Sequence, residues 1–174
     1  LWAREAAVVS SINGAHRNTM FLPDAVLDPK IMATDDYADV AKADALLLVA
    51  PAQFLRDVCV ELNAHLTPGV PVVICAKGIE QNSGALMSDV VADALPNSTV
   101  AVLSGPTFAI EVARGHPTAV TLACDDALIG QSLVDALGTN SFRPYLADDI
   151  VGAEVGGAVK NVLAIACGVV AGRQ

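Results

Sequence analysis

"PVVICAKGIEQNSGALMSDVVADALPNSTVAVLSGPT", residues 71–107, decides the fold. Two short runs in it, "PVVICA" (71–76) and "TVAVLS" (99–104), are apolar without polar alternation. Strands read this way when helices cover both of their faces. Between them "GALMSDVVADAL" (84–95) carries helical periodicity. The pattern continues on both sides. Upstream lie "ALLLVA" (45–50) and the amphipathic "QFLRDVCVELNAHL" (53–66). Downstream come "FAIEVARG" (108–115), "TAVTLAC" (118–124), "ALIGQSLVDALG" (127–138) and "FRPYLA" (142–147). Strand-like runs alternating with helical ones signal βαβ units. Right-handed crossovers then give an α/β fold with a doubly wound, mostly parallel, Rossmann-like sheet. Thr107 is placed to cap the 108–115 helix, Gly115 to end it, and Pro117 follows.

After "YLADD" the texture changes. Residues 150–172 form one long apolar run with no strand pattern behind it. We expect two units: residues 1–148, an N-terminally incomplete sheet domain, and residues 149–174, the first helix of a C-terminal all-α domain. The run is long enough for a membrane helix. Glu154, Lys160, Asn161 and its internal glycines argue instead for a core helix, and no membrane span is expected. The chain opens inside an apolar strand without a methionine and stops directly behind a helix, so it reads as an internal piece of a longer protein.

Composition narrows the function. The formal charge is −9 over 174 residues. So acidic a chain is a poor match for the nucleic-acid backbone, and no nucleic-acid partner is expected. Cys59, Cys75, Cys124 and Cys167 have no metal-ligand spacing, so no metal site is expected. Three of the four sit in apolar runs and read as small buried hydrophobes in a reducing compartment, and a cytoplasmic setting is expected.

In an open α/β sheet, ligands bind beyond the C-terminal ends of the strands. Lys77 and Gly78 follow the 71–76 run, and Ser104, Gly105, Pro106 and Thr107 follow the 99–104 run. Both loops are expected on one edge. Lys77 would bring positive charge; the Gly105–Thr107 turn would offer N–H groups, a hydroxyl and a helix N-terminus. Such an edge suits an anionic or carbonyl-bearing small molecule. The plainer readings are a solvated lysine and an ordinary capped turn.

"GGAVKN" (156–161) is the misfit in the long helix. Each glycine costs a helix interior about 1 kcal/mol relative to alanine. Helical side chains lean toward the N-terminus, so Lys160 lies over Gly157 and Gly156, a bare patch with room for a ligand or for close backbone approach. Asn161 adds a second polar group. The plainer reading is close packing with a lysine that reaches water. At the other end, "LWAR" reads as a strand end, and Arg4 just beyond it would suit a cofactor 2′-phosphate; the plainer reading is a solvated Arg4–Glu5 pair at a helix start.

Taken together, "LWARE", "HRN…FLP", "AKGIE", "LSGPTFAIEVARG.PTAV" and "GAEVGGAVKNVLAIACG" resemble the bacterial type of NAD(P)-dependent sn-glycerol-3-phosphate dehydrogenase, in order and over nearly the whole chain. The resemblance implies hydride transfer between NADP or NAD and the dihydroxyacetone phosphate/sn-glycerol 3-phosphate pair, an activity that supplies phospholipid synthesis. It implies Lys160 as general acid/base. It also implies Lys77 at cofactor and substrate, Gly105, Thr107 and Asn161 at substrate, and Arg4 and Ala109 at cofactor. It leaves room for a homodimer. The family's glycine-rich loop and its phosphate-gripping groups are absent, so this chain alone is expected to be inactive. The alternatives are a β-hydroxyacid or 3-hydroxyacyl-CoA dehydrogenase, against which "SGPTFA" argues, and a non-catalytic nucleotide-binding module.

Overall fold

The structure, a computed structural model, describes residues 1–173, with the Asn161 side chain outside the described residues. Helix α1 (Ala6–Ala15) and the single turn α2 (Tyr37–Val40) precede the sheet. Strands β1 (Leu46–Leu48), β2 (Val72–Ile74), β3 (Val100–Ser104), β4 (Thr118–Cys124) and β5 (Phe142–Ala147) form one five-stranded sheet in sequence order. Helices α3 (Leu55–Asn63), α4 (Met87–Ala94), α5 (Ala109–Ala113) and α6 (Ala127–Leu137) fill the connections, and α7 (Ile150–Ala171) closes the chain.

The sheet is sandwiched, as the unalternating strands require. Along β2 all three residues are buried. Val72 and Ile74 face a cluster with Leu48, Val102 and the apolar faces of α3 and α4, while Val73 faces Ala101, Leu122, Cys124 and Leu133 of α6. The α3 stripe is Leu55, Cys59 and Leu62. On α4 it is Met87, Val90, Val91 and Ala94. Both stripes keep helical spacing. Each fully buried Val or Leu is worth about 1.5–3 kcal/mol, so these two faces dominate the fold's stability.

Three strand pairings are parallel, and β3–β4 is antiparallel. The cause lies in α5. A parallel return needs a helix that packs back across the sheet. Here α5 is five residues long with none buried, so the chain turns at the sheet edge and comes straight back. The 108–115 segment is therefore a short helical turn at the edge rather than a crossover helix. Thr107 does not cap it either. Phe108 holds the N-cap position without a side-chain bond, and the Thr107 N–H donates to the Gly105 carbonyl (3.0 Å). Gly115 ends the turn at φ +72°.

The core reading of α7 holds only for part of one face. Glu154 and Gly157 are buried, while Val151, Val155, Val162, Leu163, Ile165 and Val170 are exposed. Among the described residues nothing covers that outer face, and Cys167 on it is exposed rather than buried. By length and composition alone α7 could cross a membrane. Its first turns nevertheless pack on β3 and β4. Cys59 and Cys124 are buried as expected, and burial pushes the Cys59 thiol up to about 11.

The strand-end reading of "LWAR" reduces to a single parallel bridge, Trp2 with Thr34. Trp2 also stacks on Tyr37 (4.7 Å between ring centres).

The loop after β2 is pinned from α3 and the turn before it. Arg56 Nε and Nη2 donate to the two Glu80 oxygens at 2.8 and 3.0 Å. Gln53 donates to the Ile79 carbonyl (2.8 Å) and accepts from the Gln81 N–H (3.0 Å). Bonds from Arg56 and then from the Ser83 hydroxyl hold the Glu80 carboxyl down at about 2, against an ordinary 4.5. A carboxyl depressed in the folded state stabilises fully above its unfolded pKa and loses that contribution as the pH falls through the folded value. In thermal melts, a Glu80→Ala variant should lie below the parent by a constant margin above pH 4.5. The margin should close as the pH approaches about 2. A margin unaffected by acid would contradict the ion pair's role.

Candidate active site

Three segments converge at the C-terminal edge of β2 and β3. Lys77 leaves β2 and turns its amine onto the Gly105 carbonyl, Nζ to O at 2.8 Å. The same carbonyl accepts the Thr107 N–H. Gly105 thus contributes an acceptor that orients Lys77, and the Thr107 N–H is consumed inside the turn. The expectation of N–H groups offered to a ligand by Gly105 and Thr107 is modified accordingly. Gly105 is glycine for a steric reason: a Cβ there would lie 2.8 Å from Val120 Cγ1 and 3.1 Å from Val120 Cα on β4.

Helix α7 arrives over this edge. A Cβ on Gly157 would stand 3.0 Å from Ser104 Oγ and 3.6 Å from Lys77 Cγ. The missing side chain lets the α7 backbone sit directly on the end of β3. Gly156 differs: a Cβ there meets nothing within 4 Å. The two glycines therefore do separate jobs, Gly157 seating the helix and Gly156 leaving open surface. Between helix and edge lies a cavity of about 10 Å³ whose lining includes Ala76, Lys77, Val102, Ser104, Glu154 and Gly157. That is room for about one water.

Lys160, one turn beyond Gly157, brings its ammonium beside that of Lys77. Partial burial, and then the Lys160 charge, lower the Lys77 pKa from its ordinary 10.5. No carboxylate pairs with either lysine among the described residues. Two neighbouring cations without an anion between them make a receptor for one.

The structure thus brings Lys77, Gly105, Thr107 and Lys160 to one edge. Ala109 lies exposed at the start of α5, just beyond this turn. Arg4 is exposed between the Trp2 bridge and α1, with no hydrogen bond or ion pair linking it to the lysine pair. The Asn161 expectation falls outside the described residues. Sequence reasoning passed over Ser104 as a contact of Gly157. It also missed the Arg56–Glu80 clamp and used Glu154 only as an argument against lipid. The Glu154 signal was present: a carboxylate in an apolar helix three residues before the buried glycine.

Comparison with known proteins bears on this site. Residues 1–129 match the NAD-dependent glycerol-3-phosphate dehydrogenase N-terminus family, and residues 149–174 match the NAD-dependent glycerol-3-phosphate dehydrogenase C-terminus family. The chain belongs to the NAD-dependent glycerol-3-phosphate dehydrogenase family. Over 99% of its length it is 63% identical to glycerol-3-phosphate dehydrogenase [NAD(P)+] of Paramagnetospirillum magneticum, covering 63% of that protein. Over its whole length it is 55% identical to the enzyme of the same name from Parvibaculum lavamentivorans, covering 52% of it. The chain therefore spans about half to just under two thirds of these relatives. The crystal structure of glycerol-3-phosphate dehydrogenase from Coxiella burnetii superposes with a TM-score of 0.89 at 32% identity, over 97% of this chain and 52% of that one. The Saccharomyces cerevisiae glycerol-3-phosphate dehydrogenase structure gives 0.86 at 28% identity, over 98% of this chain and 53% of that one.

The unequal glycines can be tested by substitution. Gly156→Ala should stabilise the chain by up to about 1 kcal/mol, the helix-propensity gain. Gly157→Ala should lose that gain or reverse it, because its Cβ presses on Ser104 Oγ. Thermal denaturation of the two variants decides; equal stabilisation at both positions would contradict the seating role of Gly157.

Proposed function

We propose that this chain is part of a longer dehydrogenase that interconverts dihydroxyacetone phosphate and sn-glycerol 3-phosphate with NADP or NAD. One observation carries the proposal: Lys77 and Lys160, neither paired with a carboxylate among the described residues, meet at the strand ends beside a helix seated by Gly157. Family membership supports it, and so do two relatives named for NAD(P)+-linked glycerol-3-phosphate dehydrogenase activity.

The residues present fit this chemistry. When bound, a nicotinamide cofactor supplies the hydride that reaches C2 of the substrate in the reducing direction. As that C–H bond forms, the carbonyl π pair moves onto oxygen. Lys160 then donates its proton to that oxygen, and it takes the proton back in the oxidising direction. Lys77, fixed by Gly105, stabilises the developing negative charge and the anionic substrate. A positive pair aimed at charge that appears only in the transition state favours rate over simple binding. Thr107 and Asn161 complete the substrate contacts in this reading. Ala109 and Arg4 lie along the cofactor, with exposed Arg4 suited to a 2′-phosphate and hence to NADP.

Residues 1–148 form the cofactor-side unit and residues 149–174 open the helical unit, whose remainder would cover the exposed face of α7. That arrangement supports a core helix over a membrane span. The coverage of half to two thirds of the relatives supports the same reading, and with it the proposal that this chain alone has no turnover. A cytoplasmic setting suits the free cysteines. A homodimer is compatible with it.

In the full-length protein, Lys160→Ala should lower kcat by about 10²- to 10⁴-fold, the usual contribution of a general acid/base. Cofactor affinity, read by fluorescence titration, should stay near the parent value. Unchanged turnover would remove Lys160 from the mechanism.

A further inference from the structure

Glu154 is the one charged side chain in the core among the described residues, at 6% exposure. Burying a carboxylate is costly unless donors satisfy it. Both its oxygens are satisfied, and both by one residue. The Ser88 N–H donates to Oε1 at 2.8 Å and the Ser88 hydroxyl to Oε2 at 2.5 Å. Ser88 is the second residue of α4, whose N-cap position is Leu86, a residue with no side-chain acceptor. The N–H groups of a helix's first turn have no partner inside the helix, and they favour negative charge. Glu154 therefore supplies from 66 residues away the cap that α4 lacks locally.

We propose that Glu154 is a positioning residue: its bidentate clamp on Ser88 fixes where α7 seats on the sheet and so brings Lys160 beside Lys77. The proposal rests on the reading of Lys160 given above.

Three observations carry it. First, Glu154, Gly157 and Lys160 stand at i, i+3 and i+6 of one continuous helix, a row along its surface. The clamp is thus about 9 Å along the axis from the lysine, with rigid helix between. Second, between Ile150, which packs on the main core in the first turn, and Lys160, the inward residues of α7 other than Glu154 are small. Ala153, Gly157 and Ala158 let the helix sit close to the sheet but offer no polar group that would fix its register. A slip of one residue would translate the helix by about 1.5 Å and rotate it by about 100°. That motion would carry Lys160 away from Lys77. A hydrogen-bonded carboxylate fits one register only, whereas an apolar residue of like size would tolerate several. Third, the anchor is firm. Met87, Val90 and Val91 of α4 are fully buried in the main core.

The test uses the full-length protein, with kcat normalised to titrated cofactor-binding sites. Glu154→Ala should lower kcat by roughly 10- to 100-fold, the scale expected when a reacting group is misplaced by about 1 Å. The cofactor KM should stay within about twofold, because the clamp touches no cofactor contact in this reading. Glu154→Gln should restore most of the rate. Its amide oxygen can accept the Ser88 N–H and its amide nitrogen can donate to the Ser88 hydroxyl. Ser88→Ala removes half of the clamp with little risk to folding and should give a smaller loss of kcat at the same KM. Three results would overturn the proposal. One is a normal kcat per site in Glu154→Ala and Ser88→Ala. Another is a lower melting temperature as the sole effect. The third is a Gln variant as slow as the Ala variant, which would mean that charge matters and position does not. Failure of the underlying reading looks different: there Lys160→Ala would itself be active.

Discussion

Two ammonium groups of the same sign stand side by side at the edge of this sheet. Lys160 approaches Lys77, and the Lys77 pKa falls below the ordinary lysine value in response, partial burial contributing most. Like charges at close range repel, even where both side chains keep access to water as these do. Neither side chain would choose this arrangement alone. The surrounding structure holds each lysine in place, and most of the fold's less obvious features can be understood as serving that end.

Each lysine has its own support. On the Lys77 side, Arg56 and Gln53 grip the loop from Ile79 to Gln81, and the Gly105 carbonyl takes the amine. Gly105 can come so close to β4 because it has no Cβ. On the Lys160 side, the bare backbone at Gly157 lies on Ser104, and Glu154 locks onto the start of α4. These supports come from well-separated segments of the chain and act on one edge of the sheet. The antiparallel return of β4 is part of the same design. A short, unburied α5 keeps the Ser104–Thr107 turn at the edge instead of drawing the chain back across the sheet.

The framework was legible because burial dictates residue type. Thr118–Cys124 is a strand at the bounds the apolar pattern suggested, with Val120, Leu122, Ala123 and Cys124 buried; Phe142–Ala147 keeps its bounds too, as the edge strand with only Pro144 buried. The α3 and α4 stripes follow from helical spacing in the same way. What sequence reading missed depends on particular tertiary neighbours. Whether Thr107 or Phe108 caps α5 turns on a local backbone bend, and no periodicity records it. The unlike environments of Gly156 and Gly157 arise because adjacent helical residues point about 100° apart. The exposed side of α7 reads like a core helix because composition registers apolarity and not what covers it. Glu154 was visible as an oddity, but its partner lies 66 residues upstream and nothing in the local sequence names it.

If the two lysines sense each other, the ionisation of Lys77 reports it directly. An NMR titration of the side-chain amines in ¹⁵N-lysine-labelled protein would follow its ionisation, with the assignment made from a Lys77→Arg sample. Lys77 should titrate below the ordinary 10.5. Lys160→Ala should move that midpoint part of the way back up, leaving the share due to burial. A Lys77 that titrates at the ordinary value, or that ignores the loss of Lys160, would contradict that coupling.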